Sequence, residues 1–365
     1  MVLTAMDTFV AASIGPAGTP HRGRTLAAGG PGVSPSASPP SQRLGVRRSG
    51  SPLVSVMPAP RRIHRGPSFP DDYWRSLEGT VGSVAGFLEA VRMISAYQSA
   101  TGTRFVWRGA ADADWPLHPS LVRRYIERHG GMPTEAQLRA SETAVIREAR
   151  DWGLDWHDSE GRLAVLELLA ALQHFGIPTR LLDFTFNPLV AFWFATENLD
   201  DRDGRVFAID ISDRLISQED AGAREPWWFN TPPGAATDWS TQAWIWRPPP
   251  LEARIVRQDG CFLMGGIPST QPPRNVQLHG VWRLMRAAEV RACMSVPFRL
   301  IHYDQAAAAF EGRRFPGHPP RARAFTLRAT GDKADLKTEL EQGFGLTYRS
   351  LFPDFPGLAR YGQSF

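Results

Sequence analysis

At 365 residues with 42% apolar side chains, the chain is long enough for one large domain or two smaller ones and for a sizeable buried core. Its formal charge is only +4, and lysine occurs only at Lys333 and Lys337; an arginine bias in an Ala-, Gly- and Pro-rich chain fits GC-rich coding better than a nucleic-acid surface. The two cysteines, Cys261 and Cys293, cannot build a disulfide framework or a four-ligand zinc site alone, and no apolar run approaches the roughly 18 residues that span a bilayer. Both thiols are expected to be buried in a protein of the reducing cytoplasm, with no membrane partner.

From Met1 to about Pro70 the sequence is Gly, Pro, Ser, Ala and Arg with one acid, Asp7, and sustains neither helical nor strand periodicity. Disorder is expected over 1–70, and a single domain over 71–365. The arginines of that first stretch make it either a basic tether or a dispensable tail, with Met57 an alternative start. They are scattered and lack interleaved aromatics that would stack on bases, which favours the tail.

Beyond it, Val84 to Gln98 carries Phe87, Leu88, Val91 and Ile94 at near-helical spacing, with Ser83 a candidate cap. A strand over Arg104 to Trp107 runs into Arg108-Gly109, and a turn beginning at Trp115 feeds a helix from Ser120. Thr134 to Trp152 reads as a long charged amphipathic helix, Leu163 to Phe175 as a shorter apolar one. Gly176 suits a left-handed helix end and Pro178 forbids continuation, so Thr179 to Phe184 reads as extended. Asn187 followed by Pro188 is an N-cap with proline at the first helical position, opening an apolar helix through Phe194.

Arg205 to Ile211 is a strand by alternation and branching. Residues Gln218 to Pro250 hold Trp227, Trp228, Trp239, Trp244 and Trp246 among prolines and glycines, as a long insertion would, either a lid or an aromatic satellite cluster. Strand character returns at Ala253 to Val256 and Cys261 to Met264 around Gln258-Asp-Gly, and again at Ser295 to Ile301 and Ala324 to Leu327. Asp332 caps a closing helix to Gln342 that Gly343 ends. The fold class is therefore α/β (α+β), with a mixed central sheet flanked by helices. No Walker A loop, Gly-x-Gly-x-x-Gly, His-Glu-x-x-His or Gly-x-Ser-x-Gly elbow occurs, and the histidines lack metal-ligand spacing, so no metal is expected.

Several separated pieces agree. Phe105-Val-Trp-Arg-Gly, then Asp114-Trp-Pro-Leu-His-Pro-Ser-Leu-Val-Arg, then Gln173-His-Phe-Gly-Ile-Pro-Thr-Arg-Leu-Leu-Asp-Phe-Thr-Phe-Asn-Pro-Leu-Val-Ala, then Arg257-Gln-Asp-Gly-Cys-Phe together resemble the FRG domain family, named for an aromatic-Arg-Gly motif. Leu351-Phe-Pro-Asp with Gly357-Leu-Ala resembles that family's C-terminal end. The resemblance implies a shared site without naming its reaction. By fold-level analogy, the layout also resembles ADP-ribosyltransferases, in which the arginine holds a phosphate of NAD, a hydroxyl lies near the nicotinamide ribose and a later acid steadies the oxocarbenium-like state.

Each candidate has a functional and a structural reading. Arg108, beside Gly109 that admits close backbone approach, can fork a phosphate or pair with Asp112, Asp114 or Asp183. His174 at a helix C-terminus is favoured as imidazolium by the dipole, for anion binding, proton transfer or capping. Gln173 can offer its amide to a base or brace the turn. Alternation puts Asp183 and Thr185 on one face and Arg180 on the other; Asp183 needs an arginine or several amides, and Arg180 an acid such as Asp210. Asn187 serves the helix start or the ligand. Gln258 occupies the place where the analogy expects glutamate, so it can orient a substrate but not supply negative charge.

Three readings follow. The first is an enzyme of ADP-ribosyltransferase type using NAD or a related nucleotide, with Arg108, Gly109, Gln173, Arg180, Asp183 and Asn187 binding it and His174, Thr185 and Gln258 at the reacting group. The second is a non-catalytic module that binds a nucleotide or nucleic acid through Arg108, Arg123, Arg124 and Arg180, in stress or phage defence. The third makes the same residues a folding lattice.

Overall fold

The computed structural model describes residues 73–101, 104–157, 161–211, 214–230, 242–250, 252–267, 274–278, 281–301, 303 and 322–361. The expected disorder of 1–70 lies outside these residues, as does Trp239 of the insertion.

The elements run β1 (Gly79–Val81), α1 (Val84–Thr101), β2 (Phe105–Ala110), α2 (Ser120–His129), α3 (Glu135–Asp151), β3 (Trp156–His157), β4 (Gly161–Arg162), α4 (Val165–His174), β5 (Leu182–Thr185), α5 (Pro188–Thr196) and β6 (Gly204–Asp210). They continue with α6 (Gln218–Ala221), β7 (Ala243–Trp246), α7 (Ala253–Arg257), β8 (Gly260–Gly265), β9 (Arg274–Leu278), β10 (Val281–Met285), α8 (Ala287–Cys293), β11 (Phe298–Leu300), β12 (Ala322–Ala329), α9 (Lys333–Phe344), α10 (Tyr348–Leu351) and α11 (Phe355–Tyr361). An eight-stranded mixed sheet has the order β1-β12-β6-β2-β5-β8-β7, with β11 also paired to β12. The contacts of β12 with β1 and β11 are parallel and the rest antiparallel.

Alternation along the strands sorts their side chains between two faces. Phe105 and Trp107 of β2 and Val206 and Ala208 of β6 meet α5, α1 and α9 in one cluster. Phe262 and Met264 of β8 and Trp246 of β7 meet α4 in a second. On the opposite face Val106, Leu182, Phe184, Phe207, Ile209 and Leu263 pack with Tyr73, Trp74 and α8. Cys261 and Cys293 are buried in this third cluster as free thiols, and burial, then the charge of Asp259, pushes Cys261 well above the usual thiol range.

Helix α5 can lie flat on the sheet because two strands lack a side chain beneath it. A Cβ on Gly109 would stand 1.9 Å from Ala191 O, and one on Gly204 2.1 Å from Ala195 O. The reading of Gly109 as a place for ligand approach thus meets a different neighbour: its bare Cα faces helix backbone. Asn187 caps α5, accepting from the Leu189 N–H at 3.0 Å, with Pro188 next, as its sequence predicts.

Several boundaries differ from expectation, the strand over Ser295 to Ile301 shortening to Phe298–Leu300 and that over Ala324 to Leu327 lengthening to Ala322–Ala329. Ala253 to Val256 is helical, because Arg254 and Ile255 are its buried positions and Glu252 enters it extended; the β-branched pair Ile255-Val256 had suggested a strand. Helix α9 passes through Gly343 and ends at Gly345, which takes the left-handed conformation at φ 67° and returns its N–H to Glu341 O. Strand β5 starts only at Leu182, since Thr179 is committed to side-chain contacts with Ser120 and Gln173. Strand β2 extends two residues past Arg108, paired along its length with β6.

The stretch expected as an insertion instead returns to the sheet, Ala243–Trp246 being its edge strand β7 paired with β8, and its described aromatic residues cluster against α4: Trp228 is fully buried, with Trp227, Phe229 and Trp246 around it. One of the two lysines also has a specific task. Buried Lys333 donates to Ala111 O and, at 3.1 Å each, to Asn198 O and Leu199 O, whose residues adopt positive φ at 54° and 52°. A compact ammonium with three donors suits this nest of carbonyls better than a planar guanidinium. Among the described residues no helix is long and apolar enough to cross a membrane.

Candidate functional site

The centre of the sheet contains an interruption. Strands β2 and β5 are joined by a single residue pair, Trp107 with Thr185, after which they part. Arg108 bridges the opening: its Nη1 donates to Asp183 O at 2.8 Å, a backbone acceptor that a longer β2–β5 ladder would have used. The expected Arg108–Asp183 contact thus runs to the carbonyl and not to the carboxylate, because Arg108 points to the face of Val106 and Asp183 to the opposite face with Phe262.

The Asp183 carboxylate instead accepts from Gln173 Nε2 at 2.9 Å, while Gln173 Oε1 accepts from the Thr179 hydroxyl. Thr179 is itself tied to the start of α2: its N–H donates to Ser120 Oγ at 3.0 Å, and Thr179 O accepts from Leu121 N–H at 3.0 Å. Gln173, Thr179 and Asp183 are all buried, and Gln173 adjoins His174 at the end of α4.

Thr185 and Gln258 form a neighbouring pair. The Thr185 hydroxyl donates to Gln258 O at 2.6 Å and accepts from Asn187 N–H at 2.9 Å, joining the end of β5, the start of α5 and the turn before β8. Asp259, at φ 44°, completes that turn. Gln258 is fully buried. Its Nε2 donates to Leu351 O at 3.0 Å, and its Oε1 has no hydrogen-bond partner among the described residues. A buried acceptor left unmatched costs roughly 1–3 kcal/mol.

His174 departs from the expectation of an imidazolium. Burial pushes its pKa down to about 4, with the charge of Arg254 acting in the same direction and Asp354 opposing, so the ring is neutral at pH 7. Arg254 and Asp354 form a bidentate pair, Nε to Oδ2 at 2.7 Å and Nη2 to Oδ1 at 2.5 Å. Burial alone would raise the Asp354 carboxyl, but hydrogen bonds from Arg254 and from Gly357 N–H outweigh it and hold the group below its ordinary value.

Arg180 stands apart from these groups. It is 0% exposed, its Nε lies 2.7 Å from both oxygens of Glu142, and its Nη1 is 3.3 Å from Glu135 on the same helix, α3. Trp228 Nε1 also donates to Glu142, at 3.0 Å. The acid that Arg180 requires is therefore Glu142, reached across 38 residues, where Asp210 had been expected. Arg123 donates to His118 O at 3.1 Å, and Arg124 lies on the surface 3.9 Å from Glu127.

Of the residues expected at a site, Arg108, Gln173 and Asp183 join one hydrogen-bonded network, and Thr185, Asn187 and Gln258 another. Both networks arise from β5. Arg254 and Asp354 were not anticipated. The Leu351-Phe-Pro-Asp motif had signalled Asp354, while the strand reading of Ala253 to Val256 concealed the buried face that Arg254 occupies.

A family model described as the FRG domain matches residues 103–204. The chain carries an FRG domain. The matched segment runs from the entry to β2 through α5 to the first residue of β6, and so contains Arg108, Gln173, His174, Asp183 and Thr185, whereas Gln258, Arg254 and Asp354 lie beyond it. No curated protein and no solved structure matches the chain. Around the FRG segment, β8 and the 351–358 stretch complete the surroundings of β5 through the contacts of Gln258 with Thr185 and Leu351.

Proposed function

We propose that this FRG protein binds NAD or a related nucleotide and is an enzyme of ADP-ribosyltransferase type, with Arg108 on a phosphate, His174 and Thr185 near a ribose, and Gln258 orienting the reacting group. The observation that carries the reading is the Gln258 Oε1, fully buried yet without a partner among the described residues. A ligand hydroxyl or carboxamide N–H placed against it would recover the free energy that the empty acceptor forfeits. The direct contact of two of these residues also supports it: the Thr185 hydroxyl donates to Gln258 O at 2.6 Å, while Arg108 leaves β2 on the other face of the sheet, where the β2–β5 ladder opens. His174, neutral at pH 7, can accept a hydrogen bond from a ribose hydroxyl.

A small nucleotide is favoured over nucleic acid by burial. Arg180 is spent on Glu142 and Glu135, Arg108 is buried and Arg123 donates to His118 O, so of the four arginines considered for a phosphate backbone Arg124 is the one placed on the surface. The mutual hydrogen bonding of Gln173, Thr179 and Asp183 favours the folding-lattice reading, and experiment separates the two.

The test is incubation of the purified chain with NAD labelled in its adenylate half, alone and with candidate acceptors, for wild type, Arg108→Lys and Gln258→Leu. Label transfer or NAD hydrolysis by wild type, reduced at least about tenfold in variants whose melting temperatures show them folded, is expected. Wild-type protein that neither binds nor turns over NAD refutes the reading.

A further inference from the structure

Arg247 directly follows Trp246, the last residue of β7, and its guanidinium lies over the Phe186 ring, 4.7 Å from the centroid. Its Nη2 donates to Asp259 Oδ1 at 3.0 Å, and the Phe186 N–H donates to Asp259 O at 2.9 Å. A closed loop of contacts therefore links Arg247 to the turn that carries Gln258 and to the residue after Thr185. Asp259 holds its positive φ of 44° in that turn, a conformation uncommon outside glycine that persists where neighbours fix it. Among the described residues Arg139, Arg180, Arg205 and Arg254 also stand over aromatic rings, but their side chains are at most 24% exposed, against 63% for Arg247.

An arginine side chain carries about 2 kcal/mol of rotamer entropy, which a surface residue must give up to bind anything. The ring and the carboxylate have already ordered this one. Its Nε and Nη1 make no hydrogen bond to a described residue, and a planar, exposed fork with donors to spare matches the oxygens of a phosphate. Arg247 also shares a face of the sheet with Arg108. Alternation puts Arg108 with Val106, and Phe186, beneath Arg247, packs against the cluster of Val106 and Phe184. Arg108 is anchored at Asp183 O and Arg247 over Phe186, three residues further along the chain, a span of roughly 10 Å for extended backbone. A diphosphate with one phosphate on each guanidinium suits that span better than a single phosphate shared by both.

We propose that Arg247 is a second phosphate contact of the nucleotide site, so that the protein takes a diphosphate, with one phosphate on Arg108 and the other on Arg247. This rests on the nucleotide reading above and adds the class of nucleotide. The Arg247–Asp259 pair is exposed and contributes little to stability, so replacing Arg247 leaves the fold intact.

The experiment is calorimetric titration of the full chain with ADP and with AMP, which differ by one phosphate, in buffer without divalent cations. It compares wild type, Arg247→Ala and Arg92→Ala, the last removing an equal charge from an exposed ion pair on α1. ADP is expected to bind wild type about tenfold or more tightly than AMP, and that preference to fall toward unity in Arg247→Ala while Arg92→Ala keeps it. If AMP binds wild type as tightly as ADP, if Arg247→Ala keeps the preference, or if Arg92→Ala loses it equally, the second phosphate contact is refuted while the nucleotide reading stands. If neither probe binds wild type, this inference falls, and titration with NAD alone decides the broader reading.

Discussion

Replacing Glu142 should unfold the domain far more readily than its place on an amphipathic helix suggests, and the structure sets the size of the effect. Its carboxylate lies 2.7 Å from the Nε of Arg180, both side chains are buried, and it also accepts from Trp228 Nε1 at 3.0 Å. At an effective dielectric constant of about 20, charges at that separation attract by roughly 6 kcal/mol, most of which offsets the desolvation of the pair. Removing one partner leaves the other buried, which typically costs about 3–5 kcal/mol. Glu135 remains at 3.3 Å from Arg180, so Glu142→Ala should sit at the low end, about 3 kcal/mol, or roughly 6–12 °C in melting temperature for a domain of this size. Glu142→Leu/Arg180→Met removes both charges and should recover most of that loss. The assay is urea and thermal denaturation followed by circular dichroism for the single and double variants. A double variant no more stable than Glu142→Ala refutes the reasoning, and so does a single variant within about 0.5 kcal/mol of wild type.

Two further outcomes follow from packing and titration. Gly109→Ala places a methyl 1.9 Å from Ala191 O and should cost roughly 1–3 kcal/mol or more by levering α5 off β2; a melting temperature equal to wild type contradicts that geometry. Buried His118 donates from Nε2 to Ala292 O at 2.9 Å, and burial first, then the Arg123 charge, pushes its pKa from 6.5 down to about 4. Its folded pKa lies below the unfolded one, so the unfolded chain binds a proton first: the contribution is complete above pH 6.5 and is lost as pH falls toward 4, by up to about 3 kcal/mol. His118→Gln, which keeps a donor for Ala292 O, should flatten the stability curve between pH 6.5 and 4, and an unchanged slope contradicts this assignment.

What could be read from sequence was mostly local. The Asn187-Pro188 helix start, the Asp332 cap and the apolar α4 each depend on residues within a few positions of one another, and each stands where its pattern puts it. The mixed sheet between helices was legible because strands and helices alternate along the chain. Partners at long sequence separation were not. Nothing near Arg180 points to Glu142, and only the path of α3 across the sheet brings them together. Asp183 illustrates the same limit from the other side: alternation put it correctly on the face of Thr185, but whether it met a guanidinium or an amide depended on how far β2 and β5 diverge. Arg254 was hidden because branched neighbours imitate a strand within a five-residue helix, too short for a 3.6-residue period to register.

The central claim, that the unmatched Gln258 acceptor and the opening bridged by Arg108 belong to a nucleotide site, is tested most directly by calorimetric titration of NAD into the full chain. Saturable binding to wild type that is weakened at least about tenfold in folded Gln258→Leu is the predicted result. No heat of binding up to millimolar NAD, or affinity unchanged by Gln258→Leu and by Arg108→Lys, would contradict it.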